Sequence, residues 1–122
     1  MKKKILIVED EKINALYLKK LLESLDFEVL QSVNNGRGAV EAALGGAPDL
    51  ILMDIMLEGD MDGIDASIEI HKQSDVPIIF ISAFSDESLV ERAMDASPYG
   101  YIIKPFEKRN LATVLTLALH KY

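Results

Sequence analysis

Four short runs of apolar residues, rich in Ile and Val and without polar alternation, limit what this chain can fold into. A strand with one face in water alternates apolar and polar residues, whereas a strand covered on both faces does not. The runs are ILIV (5–8), LILM (50–53), IIFI (78–81) and YII (101–103). They predict strands of a parallel sheet that is covered on both faces.

The segments around these runs give the order of the elements. A fifth run, FEVLQSV (27–33), places Phe27, Val29 and Val33 on one side of a strand, which is typical of an edge strand. Between the runs, apolar residues recur at helical spacing, so that strand and helix alternate five times. This order predicts an α/β fold, a doubly wound (βα)5 domain built around a five-stranded parallel sheet.

Local signals indicate where two of the helices begin or end. The second helix is expected to be lined by Ala39, Val40, Ala43 and Leu44 and to be ended by Gly45, Gly46 and Pro48. Ser85 is expected to be the N-cap of the fourth helix, with acidic residues in the first turn behind it.

Composition excludes several classes of function. The 122 residues suit one domain, and a single domain over 1–122 is expected. Twenty acidic against thirteen basic residues give a net charge of -7, which repels nucleic acid phosphates and anionic membranes. No apolar run approaches the roughly 18 residues needed to cross a bilayer. Without Cys there are no disulfides or thiolate metal sites, which is compatible with the cytoplasmic location that we expect. From the net charge and the short apolar runs we expect no binding to nucleic acid or to a membrane.

One carboxylate interrupts an apolar run in PDLILMDIML (48–57). A buried, ionised carboxylate is costly unless it is paired, hydrogen-bonded or bound to a metal. Asp54 therefore either lies at the edge of the core, where it starts a turn, or is met by a cation. Ligands of doubly wound sheets bind at the carboxyl ends of the strands, so the residues that follow the other strands bear on this choice.

Chemically useful residues stand at the ends of the other predicted strands as well. Glu9 and Asp10 follow the first strand, Ser82 ends the fourth, and Lys104 follows the fifth. Three converging carboxylates repel one another unless a cation holds them, and oxygen ligands favour a hard cation such as Mg2+. A hydroxyl and an ammonium beside that metal suit a phosphoryl group, with Asp54 as the nucleophile.

Five motifs carry a resemblance to a known family. In chain order they are VEDE (8–11), LILMDIM (50–56), DG (62–63), ISA (81–83) and YIIKPF (101–106). With this order and spacing, the chain resembles the receiver domains of two-component response regulators, including those of the chemotaxis type. The resemblance covers essentially the whole chain, and it implies a flavodoxin-like sheet with the strand order 2-1-3-4-5.

The resemblance also implies a role for each candidate residue. Glu9 and Asp10 correspond to the acidic pair that holds Mg2+, and Asp54 corresponds to the phosphoacceptor, which also contacts the metal. The remaining matches are Ser82 as the switch hydroxyl, Lys104 as the phosphoryl-binding lysine, Tyr101 as the switch aromatic and the Met56 backbone carbonyl as a metal ligand. By the same resemblance, the peptide between Lys104 and Pro105 is expected to be cis.

Two positions depart from the family pattern. Glu58 stands where the family often has proline, and Gly63 comes one residue later than in the commonest pattern. The loop after the third strand is therefore expected to be remodelled. Glu58 and Asp60 are expected to be solvated loop acids.

The function implied is a phosphoryl-accepting switch in a two-component phosphorelay. Asp54 would take a phosphoryl group from a phosphohistidine of a sensor histidine kinase or a phosphotransfer protein. The change would be read by a downstream effector or output domain at the surface of the fourth helix, fifth strand and fifth helix, with a homodimer through that surface as one outcome. The domain would catalyse only its own phosphorylation and dephosphorylation. It would be either a single-domain regulator or one domain of a longer protein.

Two alternatives remain at this point. A Mg2+-dependent aspartyl phosphatase also begins its chemistry with an aspartate at a strand end. Such enzymes of the haloacid dehalogenase type generally carry a second aspartate two residues on, where this chain has Met56. The other alternative is a receiver-like module that binds partners without taking phosphate, but none of its three signals, loss of an acid, of Asp54 or of Lys104, is present.

Overall fold

A five-stranded parallel sheet of order β2-β1-β3-β4-β5 runs through the protein. The computed structural model describes residues 2–83 and 87–121. The strands are β1 (Lys4–Val8), β2 (Glu28–Val33), β3 (Leu50–Asp54), β4 (Ile78–Ser82) and β5 (Gly100–Ile103). The helices are α1 (Lys12–Ser24), α2 (Gly36–Gly46), α3 (Gly63–His71), α4 (Glu87–Met94) and α5 (Lys108–Lys121). The predicted α/β fold, doubly wound with flavodoxin-like strand order 2-1-3-4-5, is confirmed.

Helices cover both faces of the sheet, which explains why the central runs do not alternate. Successive side chains of a strand point to opposite faces. In β3, Ile51 and Met53 join a core cluster with residues of α2, α3 and α4. Leu50 and Leu52 join a second cluster with residues of α1 and α5. Both sets are fully buried, so every position of this strand favours an apolar side chain.

The edge strand β2 differs from its prediction. The register between β1 and β2 shifts after the pair Ile5 and Val29, so that the next pair is Leu6 with Gln31. A bulge of this kind moves the residues beyond it to the opposite face. Val29 accordingly packs with the α1 and α5 side, whereas Val33 packs with the α2 side. The prediction that these two valines share a side was wrong.

Helix α2 runs further than its glycines suggested. It includes both Gly45 and Gly46, and the C-cap residue that follows, Ala47, has a left-handed φ of 49°. Ala39 and Ala43 are buried as expected, but Leu44 is 38% exposed. The glycines do not stop the helix because glycine costs only about 1 kcal/mol within one, which tertiary packing readily exceeds.

Helix α4 is the least buried of the helices on its side of the sheet. Among its residues only Ala93 is fully buried, and Leu89 packs against the core from a half-buried position. The predicted N-cap, Ser85, lies outside the described residues.

Candidate functional site

The predicted site residues meet at the carboxyl edge of the sheet. Asp54 is the last residue of β3 and Ser82 the last of β4, while Glu9 follows β1 and Lys104 follows β5. Parallel strands end at the same edge, which brings together residues that are far apart in sequence. Glu9, Asp54 and Ser82 are all buried there.

Lys104 is the cation that meets Asp54. Its Nζ donates to Glu9 Oε1 at 2.9 Å and to Asp54 Oδ2 at 3.3 Å. The Lys104 backbone N–H donates to the carbonyl of Ser82 at 2.8 Å, which holds the end of β5 beside β4. The other oxygen of Asp54 accepts from the backbone N–H of Met56 at 3.2 Å. A carboxylate can therefore stand at the end of this apolar strand because a lysine and a backbone amide bind it.

Three carboxyl groups form one cluster beside this lysine. Glu9, Asp10 and Asp54 each offer an oxygen, and these oxygens lie within 4.8 Å of one another. Glu9 and Asp54 are 3% and 6% exposed, whereas Asp10 is half-buried. Glu9 Oε2 also accepts from the backbone N–H of Glu11 at 3.2 Å. Such a cluster concentrates negative charge where water cannot screen it well.

The pKa values of the charged groups in this cluster shift in different directions. Burial raises the pKa of Asp54 to about 7, and the neighbouring Glu9 adds to this while Lys104 opposes it. Burial also acts to raise the pKa of Glu9, but hydrogen bonds with Lys104, Asp54 and the Glu11 amide outweigh it and lower that pKa. Partial burial and Glu9 raise the pKa of Asp10. For Lys104, burial is outweighed by Glu9 and Asp54, so its pKa is raised.

This donor set fits a magnesium ion. All three side chains offer carboxylate oxygens, the ligands that Mg2+ prefers. These oxygens lie close enough together to contact the same ion. One ammonium does not balance three carboxylates, and Glu9 adds to the rise that burial causes in the pKa of Asp54 and of Asp10. A divalent cation at this point would supply it.

The remaining predicted residues differ in burial. Ser82 is fully buried, and Tyr101 is half-buried in β5 and packs against the core cluster on the α4 side. The side chain of Met56 is 51% exposed. The peptide between Lys104 and Pro105 is cis, as expected. The metal-ligand role of the Met56 carbonyl and the switch roles of Ser82 and Tyr101 stay predictions.

The loop after β3 contacts α2. Gly59 has a φ of 104°, a conformation that a side chain would strain. Asp60, expected to be only a solvated acid, is exposed but pairs with Arg37 of α2 at 2.8 Å. Glu58 is exposed.

Sequence patterns did not predict one charged contact beside the site. Arg92 of α4 binds Asp62 and Asp65, which open α3. A single arginine on an exposed helix face has no distinctive spacing, so only the packing of α4 beside α3 could reveal its partners.

Comparison with known proteins identifies the family. Residues 5–116 match the response regulator receiver domain. The chain belongs to this family. The phosphatase alternative gains no support from this match, and the receiver domain instead accounts for the fold and for the residues at the strand ends.

Similar proteins include both short and long chains. This receiver domain is 37% identical over 120 residues to the transcriptional regulatory protein PdtaR of Mycobacterium tuberculosis, covering 98% of this chain but 58% of that protein. It is 37% identical to the chemotaxis protein CheY of Bacillus subtilis, covering 98% of this chain and all of CheY (100%). The receiver domain thus spans little more than half of the first relative and the whole of the second.

A solved receiver domain matches the fold closely. The receiver domain of the sensor histidine kinase PA1611 from Pseudomonas aeruginosa has a TM-score of 0.89 and 32% identity, covering 98% of this chain and 99% of that one. That structure has a magnesium ion coordinated in its active-site cleft.

Among the helices described in the present domain, none is both long and apolar enough to span a membrane.

Proposed function

We propose that this receiver domain is a phosphoryl-accepting switch with Asp54 as the acceptor. The donor would be a phosphohistidine on a sensor histidine kinase or a phosphotransfer protein, and a downstream effector or output domain would read the result. The observation that carries the proposal is the contact of Lys104 with Asp54 at 3.3 Å inside a buried acidic cluster. The Cys-free composition is compatible with a cytoplasmic location, which we propose as well.

The proposed transfer forms one bond and breaks one. A carboxylate oxygen of Asp54 attacks phosphorus, and the bond from phosphorus to the donor's ring nitrogen breaks. That nitrogen keeps the electron pair, and the ring, protonated on its other nitrogen, leaves as neutral imidazole. The product on Asp54 is an acyl phosphate. Lys104, already directed at Asp54 Oδ2, would pair with an oxygen of the transferred group.

A magnesium ion would be held by Glu9, Asp10 and Asp54, together with the backbone carbonyl of Met56. When bound, it would neutralise carboxylate charge and the charge of the incoming phosphoryl oxygens. Ser82 would direct its hydroxyl to the transferred group from the neighbouring strand end. The catalytic contribution of the domain would be limited to its own Asp54, including the later hydrolysis of the acyl phosphate.

Intact-mass spectrometry tests the acceptor. The protein, incubated with Mg2+ and acetyl phosphate, should gain the mass of one phosphoryl group. Asp54→Asn should gain none, because the amide is not a nucleophile. Asp60→Asn serves as the matched control, since it removes an exposed acid of the following loop that pairs with an exposed arginine, and it should gain the group as the unmodified protein does.

A chelator tests the assignment of the metal independently of the assignment of the acceptor. Excess chelator should abolish the mass gain, and Asp10→Asn should weaken it. Equal phosphorylation of Asp54→Asn would overturn the acceptor assignment, and equal phosphorylation in chelator would overturn the metal assignment.

A further inference from the structure

Arg92 joins the fourth helix to the start of the third by three hydrogen bonds. Its Nη1 donates to Asp62 Oδ2 at 2.7 Å, and its Nη2 donates to Asp62 Oδ1 at 3.3 Å and to Asp65 Oδ1 at 2.8 Å. The planar guanidinium thus holds one carboxylate with both arms and a second with one of them. Burial acts to raise the pKa of Asp62, but the bonds from Arg92 and the Asp65 amide outweigh it and lower that pKa.

The start of α3 is fixed to the backbone of the phosphoacceptor. The Gly63 N–H donates to the carbonyl of Ile55 at 2.9 Å. A Cβ on Gly63 would collide with the carbonyl oxygen of Asp54, so the helix begins in direct contact with the end of β3. Asp62 and Asp65 cap this helix reciprocally, each side chain accepting the other's backbone N–H, at 2.9 and 3.1 Å. The two carboxylates that Arg92 binds are therefore rigidly placed relative to Asp54.

Helix α4 has much less to fix it than α3 has. Ala93 is its one fully buried residue, and the others that are described are half-buried or exposed. With few buried apolar contacts, a helix shifts or opens locally at low cost. The three bonds from Arg92 are therefore among the contacts that set the position of α4 relative to the site, beside the packing of Ala93 and Leu89 on the core.

We propose that Arg92 is a positioning residue through which the segment following Asp54 sets the place of α4. The transmission of a phosphorylation signal through this contact rests on the proposed phosphoryl switch. The role of Arg92 in holding α4 in place does not. Displacement of the backbone after Asp54 would move the Asp62 and Asp65 carboxylates, and α4 would follow because the guanidinium binds both. Without Arg92, α4 would be loosely held and would respond weakly to the state of Asp54.

Amide hydrogen exchange of the full chain tests the contact before any phosphorylation. Arg92→Ala should speed exchange in α4 by roughly three- to tenfold, as expected for a small network of partly exposed ion pairs. Arg92→Lys keeps the charge without the fork and should give an intermediate change, and Asp65→Asn should act in the same direction. Arg37→Ala is the matched control, because it breaks an arginine pair of 2.8 Å between α2 and Asp60 and should leave α4 unchanged.

Exchange with and without acetyl phosphate and Mg2+ then tests the transmission, with the mass gain measured on the same samples. Arg92→Ala should gain the phosphoryl group like the parent, yet show less than half of the parent's phosphorylation-dependent change in α4. An unaltered change in α4, or exchange in α4 that does not respond to Arg92→Ala before phosphorylation, would overturn the role of Arg92. A parent that gains no mass would overturn the proposed function instead, while the first experiment still decides whether Arg92 holds α4.

Discussion

At the scale of single residues, Asp54 shows what its position costs the folded chain when no metal is bound. Its pKa rises from 3.8 to about 7, mainly because it is buried and then because Glu9 lies beside it. The unfolded chain releases the proton near pH 3.8, whereas the folded protein holds it to about pH 7. The folded state therefore binds more protons in this window, and the free energy of unfolding falls as pH rises through it.

Replacing this carboxyl with an amide should remove the penalty. In chelator, Asp54→Asn should raise the free energy of unfolding by about 2 to 4 kcal/mol at pH 8 and change it little at pH 4. Urea denaturation at both pH values measures the difference. Asp60→Asn, at an exposed position, should show no comparable gain at pH 8. An equal gain for Asp54→Asn at both pH values would contradict this account of Asp54.

At the scale of elements, the junction between β3 and α3 requires a residue without a side chain, the glycine at position 63. Gly63 begins α3 against the carbonyl of Asp54 and the Cα of Ile55. These are backbone atoms, which cannot move aside as a flexible side chain would. The sequence pair Asp62–Gly63 thus combines a helix cap with a close approach to the end of β3.

Two glycine substitutions separate close approach from helix propensity. Gly63→Ala should lower the free energy of unfolding by about 2 to 3 kcal/mol, because its Cβ has no room. Gly45→Ala is the matched control within α2, where nothing lies within 4 Å of an added Cβ. It should raise the free energy of unfolding by about 0.5 to 1 kcal/mol. Urea denaturation of both variants measures these changes, and a loss of similar size in both would refute the steric explanation.

At the scale of the whole molecule, metal binding at the strand ends should stabilise the fold. An ion that binds the folded state alone adds about 1.4 kcal/mol at ten times its Kd, or about 4 to 8 °C in Tm for a domain of this size. Calorimetry with MgCl2 measures the shift, with NaCl of equal ionic strength as the control. Asp10→Asn should reduce it. An equal shift in NaCl would contradict a specific site.

The surface formed by α4, β5 and α5 carries one large exposed apolar side chain from each element. These are Met94, Ile103 and Leu117, which are 64%, 50% and 64% exposed. Exposed apolar side chains on these three elements suit a symmetric contact between two copies. We expect phosphorylation to favour a homodimer through this surface.

Light scattering of the phosphorylated protein tests this expectation. Leu117→Glu should keep the protein monomeric, because a charge would be buried in the contact. Ile68→Glu is the matched control, since Ile68 is 41% exposed on α3, outside the surface. A dimer that survives Leu117→Glu but not Ile68→Glu would place the interface elsewhere.

Much of the fold and of the site could be predicted from local patterns. Apolar runs such as 50–53 indicate strands because a strand covered on both faces must be apolar throughout. The parallel order of those strands then brings Glu9, Asp54 and Lys104 to one edge. Element type and site composition follow from short-range spacing together with the topology that such spacing permits.

The sequence by itself determined the elements, their order and the set of residues at the strand ends, since these depend on neighbours a few positions apart. Tertiary structure decided which atoms of these charged groups bind each other and which further charges meet. Lys104 reaches Glu9 across 95 positions and Arg92 reaches Asp62 across 30, distances at which no local pattern acts. It also decided the bulge that separates Val29 from Val33, because register depends on the packing of β2 against β1 and the helices beside it. Pairing and register are properties of packed surfaces, and the chain acquires them only when those surfaces are in contact.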